Sequence, residues 1–157
     1  MNEFDDIRPY FDSEVSTVLA RLSNSSEFID TLLSINYPRL HRWLPWLVRP
    51  IISYKLRLAF SKIKKVSDLH KAMRVSFGKL LIETDSFLTI SGLEKLERKT
   101  PYLYISNHRD IAMDPAFLNV ALIDDGRDTV RIAMGDNLPK QDFVSDFARV
   151  NNSFVVK

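Results

Sequence analysis

Residues Ser106-Asn107-His108-Arg109-Asp110 are where residue type and spacing suit proton transfer. A histidine followed two and six positions later by carboxylates, Asp110 and Asp114, can have one ring nitrogen held by an acid. The other nitrogen is then available as a base. Which carboxylate does the holding stays open at this level. Asp114 precedes Pro115, so it also reads as a helix N-cap with proline at the first helical position, its charge matched to the positive helix end. Asp110 reads either as a solvated or Arg-paired loop residue or as the orienting acid.

Elements must hold such a turn in place. The apolar, aromatic run Tyr102 to Ile105 is a candidate strand leading into it, and the spacing predicts a helix from Pro115 to Ile123 leading out. Upstream, Phe87 to Gly92 is a second candidate strand and Leu93 to Arg98 a turn or short helix. Downstream come the turn Asp124 to Asp128, a strand Val130 to Met134 ending at Gly135-Asp136-Asn137, a helix Asp142 to Val150 and a strand Ser153 to Val156. Strands alternating with helices predict an α/β fold, a mostly parallel sheet with crossover helices, preceded by a helical N-terminal region. In such sheets ligands collect at the carboxyl ends of strands, where His108 stands.

The turn resembles the first motif of the glycerolipid acyltransferases, the glycerol-phosphate and lysophosphatidic acid acyltransferase family, in which an Asn-His is followed by an aspartate. Asn107-His108 and Asp114 carry the match, with five intervening residues where the family has four. Phe154-Val155-Val156-Lys157 is similar to the second motif, an apolar strand ending in basic residues that bind the acceptor's phosphate. The resemblance implies that His108 takes a proton from an acceptor hydroxyl, Asp114 holds the imidazole, and Asn107 and Arg109 shape the turn. It also implies that Lys157, beside Phe154, meets phosphate. The acyl donor would be an acyl-CoA or acyl carrier protein thioester, a co-substrate, with no metal and no bound cofactor. The acceptor would be a glycerol-phosphate or lysophospholipid, and the protein would sit peripherally on the cytoplasmic side of a membrane. The family's third and fourth motifs do not occur in the sequence, so residues 84–157 are expected to be the first part of a longer domain.

Composition limits the alternatives. With 157 residues, 45% of them hydrophobic, the chain is long enough for one ordinary core, and the absence of cysteine excludes disulfides and thiolate chemistry. The His108-Arg109-Asp110 triplet also occurs in protein-kinase catalytic loops. There the metal-binding asparagine would fall at Pro115, and no Gly-rich phosphate loop precedes it, which argues against a kinase. Residues 1–11 are polar and expected to be irregular. Val15, Val18, Leu19 and Leu22, then Phe28, Ile29, Leu32 and Leu33, predict two helices or one bent helix, with a break and new N-cap in Ser23 to Ser26. A further helix starts at Ser67-Asp68, where Gly78 suggests a close helix contact.

Between Asp30 and Asp68 no acidic residue occurs, while Arg39, Arg42, Arg49, Lys55 and Arg57 all do. Both tryptophans, Trp43 and Trp46, lie there too, and Pro45 and Pro50 should interrupt any long helix. The segment fits an anionic membrane surface, met by Trp43, Trp46, Arg42 and Arg49, or equally a packed helix with a solvated basic face. Its proline breaks, and the absence of ribonucleoprotein or zinc-finger patterns, argue against nucleic acid. No apolar run approaches the roughly 20 residues of a membrane span. A non-catalytic membrane-surface or protein-interaction module is the alternative reading of the whole chain.

Overall fold

The computed structural model describes residues 4–83, 88–107, 110, 113–137 and 142–157, with the side chains of residues 40–41 and 80–83 left aside. The chain divides into two units, Met1–Leu69 with Arg131–Lys157, and His70–Val130. The fold is α/β with a helical N-terminal region, as expected, but it contains little sheet.

In the first unit, α1 (Asp12–Asn24) and α2 (Ser26–Asn36) are separate helices. The break falls where the serine cluster predicts it: Ser25 is the N-cap of α2, and its hydroxyl accepts from the Phe28 N–H at 3.3 Å. Val15, Val18, Leu19 and Leu22 of α1 are buried with Leu33 of α2 and Val150 of α7 (Asp142–Val150), which makes this the core of the unit. Phe28 of α2 packs against Phe143 and Phe147 of α7, with ring centres 5.9 and 6.0 Å apart.

A short α3 (Pro38–Trp43) leads into α4 (Pro45–Phe60), which packs on α1. The sequence expectation fails here, since α4 runs straight through Pro50. Proline removes only the N–H that the Trp46 carbonyl would have received, and Trp46 lies on an exposed turn where water can replace it. Pro45, by contrast, occupies the first helical turn, where its missing N–H is harmless.

The sheet consists of β1 (Ile132–Gly135) and β2 (Ser153–Val156), parallel, with Ile132 opposite Ser153 and Gly135 opposite Val156, and α7 forms the crossover. The far side of β2 receives the N-terminal segment, where the Val155 N–H donates to the Ile7 carbonyl at 2.9 Å.

The second unit holds most of α5 (Val66–Glu83), a 3-10 turn at Leu93–Lys95 and α6 (Met113–Asp124). Phe77 meets Phe117 edge-on at 5.2 Å. Two expected strands are not formed among the described residues. Residues 88–92 and 101–107 form no strand pairing with any described residue, and Leu103 and Ile105 are each 85% exposed. An apolar run makes a strand only when a neighbour takes its backbone hydrogen bonds. Phe87 of the first run lies outside the described residues. Among the described residues Gly78 makes no close helix contact either: the space over it is taken by Arg74 of the same helix, whose guanidinium forks onto Asp124 at 2.7 and 2.9 Å.

Candidate active site

His108 and Arg109 lie outside the described residues, as do Ile111 and Ala112. The rest of the turn is defined. Asn107 and Asp110 are exposed, and α6 begins at Met113, so Asp114 sits inside its first turn instead of capping it. The capping is done by Asp110, whose Oδ1 accepts from the Met113 N–H at 2.8 Å. In return, Asp114 Oδ2 accepts from the Asp110 N–H at 2.9 Å. The two carboxylates thus tie the turn and the helix start to each other, each satisfying a backbone donor that the helix itself cannot. The sequence predicts the cap but assigns it to the wrong aspartate. The signal that separates them is the three-residue step from Asp110 to the Met113 N–H, since a cap bonds two or three residues ahead.

The end of α6 is equally well defined. Gly126 has φ +72°, the Arg127 N–H reaches back to the Leu122 carbonyl at 2.8 Å, and the Gly126 N–H to that of Ile123 at 3.0 Å. This is a Schellman close, and only glycine takes that φ without cost. Arg127 then clamps the preceding loop, donating to the carbonyls of Leu93, Leu96 and Glu97 at 3.0, 2.6 and 3.2 Å and to Asp125 at 2.6 Å. Tyr102, at the start of the apolar run before the turn, accepts from the Glu97 N–H through its hydroxyl at 2.8 Å. The run is therefore anchored by side-chain bonds and not by a sheet.

In the first unit, Phe154 is half-buried on β2 opposite Ala133, and Lys157 follows the strand, exposed. Its ammonium is 2.6 Å from Asp6 Oδ2. The hydrogen bond from Lys157 holds the Asp6 carboxyl below its ordinary range. The position that the sequence assigns to a phosphate oxygen is thus taken by a carboxylate of the same chain. Asp6 escapes a motif search, because only the pairing of residues 4–11 with β2 brings it there.

That pairing rests on Arg149, which is almost buried and absent from the sequence expectations. Its guanidinium donates to the carbonyls of Arg8 at 2.8 Å and Asp5 at 2.5 Å, and stacks 4.3 Å over the Tyr10 ring. Tyr10 in turn donates to Asp146 at 2.6 Å, and Arg21 reaches the same carboxylate at 2.8 and 2.9 Å. Burial opposes ionisation of Asp146, but the bonds from Arg21 and Tyr10 outweigh it and hold its carboxyl below the ordinary range.

Of the basic, tryptophan-containing residues, Trp43, Trp46 and Arg42 are exposed. Arg49 is committed to a two-pronged pair with Asp30 at 2.7 and 2.6 Å. No metal-ligand cluster is present among the described residues.

Comparison with protein families gives one result: residues 87–157 match the family model described as Acyltransferase. Over this stretch the chain is similar to the acyltransferase family. No curated protein and no solved structure matches the chain. The acyltransferase match begins at the first expected strand and takes in Asn107, Asp110, Asp114, Phe154 and Lys157, together with the position of His108.

Proposed function

We propose that the protein transfers a fatty acyl group from an acyl-CoA or acyl carrier protein thioester to the hydroxyl of a glycerol-phosphate or lysophospholipid. The observation that carries this reading is the acyltransferase match over the segment that holds the Asn107-His108 motif in sequence and in which Asp110 and Asp114 are hydrogen-bonded to the head of α6 and to each other. In the reaction, His108 takes the proton of the acceptor hydroxyl, and that oxygen attacks the thioester carbonyl. The C–S bond breaks as the ester forms, and the departing thiolate receives the proton from the imidazolium. Asp114 holds the imidazole tautomer and stabilises its protonated form, while Asn107 and Arg109 shape the turn. No metal or bound cofactor takes part in this scheme.

Lys157 neutralises the acceptor's phosphate as a point charge, with Phe154 packing beside it. For that to happen phosphate must displace Asp6, and an exposed ion pair of this kind is weak enough for a dianionic group to do so. The work is done at the cytoplasmic side of a membrane, where the protein is peripheral. Among the described residues no helix is long and apolar enough to cross one.

The test is acyl transfer by the full-length gene product, with radiolabelled acyl-CoA and acyl carrier protein donors against glycerol-phosphate and lysophospholipid acceptors. Labelled ester with one donor and acceptor pair is expected. Folded protein that transfers to none of them contradicts the reading.

A further inference from the structure

Helix α4 has two apolar faces, and one of them has no partner among the described residues. Val48, Ile52, Leu56 and Phe60, half-buried at four-residue steps, face the body of the unit where α4 packs on α1. On the opposite side Leu47, Ile51, Tyr54 and Leu58 follow steps of four, three and four, which makes a second stripe along the helix. All four are exposed, Tyr54 by 69% and Leu58 by 57%. The tryptophans stand where α3 gives way to α4, Trp43 exposed by 79% and Trp46 by 71%. Exposed cations surround the stripe: Arg39 and Arg42 before it, Lys55 along it, Lys62 after it. The carboxylates that flank the segment in sequence are both engaged, Asp30 by Arg49 on the inner side of the helix and Asp68 by the Lys64 and Lys65 N–H groups.

We propose that this outer face of α4, headed by Trp43 and Trp46, docks in the plane of an anionic lipid bilayer, with Leu47, Ile51, Tyr54 and Leu58 entering the headgroup region. From Leu47 to Leu58 the helix lays down an apolar strip about 17 Å long. That suits lying in the interface and not spanning it. The charge selects the partner. Lysine is depleted from protein–protein interfaces, and two copies of this face would bring like charges together, whereas lipid phosphates complement lysine and arginine and the indole N–H can stay wet among headgroups. Arg49 pairs with Asp30 on the inner side of the helix, away from the stripe. The proposal rests on the acyltransferase reading only in making the lipid surface the place of work.

The experiment is co-sedimentation of the full-length chain with phosphatidylcholine vesicles and with equimolar phosphatidylcholine and phosphatidylglycerol vesicles, reading tryptophan emission alongside. Binding to the anionic vesicles, a blue shift, and weaker binding to neutral ones are expected. A variant carrying Ile51→Ser, Tyr54→Ser and Leu58→Ser should lose about tenfold or more in vesicle affinity, from the apolar groups withdrawn from lipid. Val75→Ser, an exposed apolar residue elsewhere, should change nothing. The double variant Trp43→Ser, Trp46→Ser repeats the test at the other end of the stripe. Wild-type protein that ignores both vesicles, or stripe variants that bind as wild type, overturns the proposal. So does a self-associating protein that the stripe variants turn monomeric without any vesicle binding. Turnover on detergent-dispersed acceptors is read separately, so loss of docking and loss of catalysis are distinguishable.

Discussion

At the scale of single residues, the two carboxylates beside the candidate base divide the work, and the division can be measured. Asp110 bonds the Met113 N–H as a cap, so Asp110→Ala should cost about 1 kcal/mol of stability, seen as a lower urea midpoint. Asp110→Asn keeps a capping oxygen and should stay close to wild type. Asp114→Asn should lower kcat by about a hundredfold or more while leaving the urea midpoint near that of wild type, because an amide cannot stabilise an imidazolium. If instead Asp110→Asn removes activity and Asp114→Asn does not, Asp110 is the acid that orients His108. At Lys157 the chain supplies its own anion. Asp6→Asn should free the ammonium and lower KM for a phosphate-bearing acceptor severalfold, with kcat unchanged, in initial-rate measurements.

At the scale of elements, the sequence is legible where each element carries its own boundary chemistry. Ser25 caps α2, Gly126 closes α6, and the helix Asp142–Val150 and strand Ser153–Val156 fall where the spacing puts them. It is misleading where an element depends on something else. Tyr102 to Ile105 has the composition of a strand but no strand beside it among the described residues, and Pro50 should break a helix whose exposed turn tolerates the missing bond. The strap of residues 4–11 is invisible to any local pattern, because the carbonyls that Arg149 reaches lie 141 and 144 residues away in sequence. The candidate site divides in the same way. Asn107, His108 and Asp114 are legible as a motif, whereas the Asp110 cap and the Asp6 counter-ion exist only once the chain is folded. Arg149→Met should cost about 2–4 kcal/mol in chemical denaturation, since two carbonyls lose a charged donor and the Tyr10 ring loses its cation.

At the scale of the whole molecule, charge decides both stability and placement. Three carboxyls of the first unit are held below their ordinary values: Asp6 by Lys157, Glu14 by the Arg8 fork, and Asp146 by Arg21 and Tyr10 against the opposing effect of burial. Because each is more acidic folded than unfolded, its contribution is present above the ordinary carboxyl range and is lost as pH falls through it. Melting temperature should therefore be level down to about pH 5 and decline steadily below about pH 4. A flat profile between pH 5 and pH 3 would show that these pairs hold nothing together. The basic stretch between Asp30 and Asp68 stays charged throughout that range, so vesicle docking and acid stability should separate cleanly.

One comparison tests the role of His108 most directly: acyl transfer from the preferred thioester donor by full-length wild-type protein and by His108→Ala, at matched folding and on the same acceptor. With the imidazole as general base, turnover should fall by about a thousandfold or more while donor and acceptor binding persist. Turnover by His108→Ala equal to that of wild type would contradict the assignment of the base and, with it, the mechanism built on the Asn107-His108 turn.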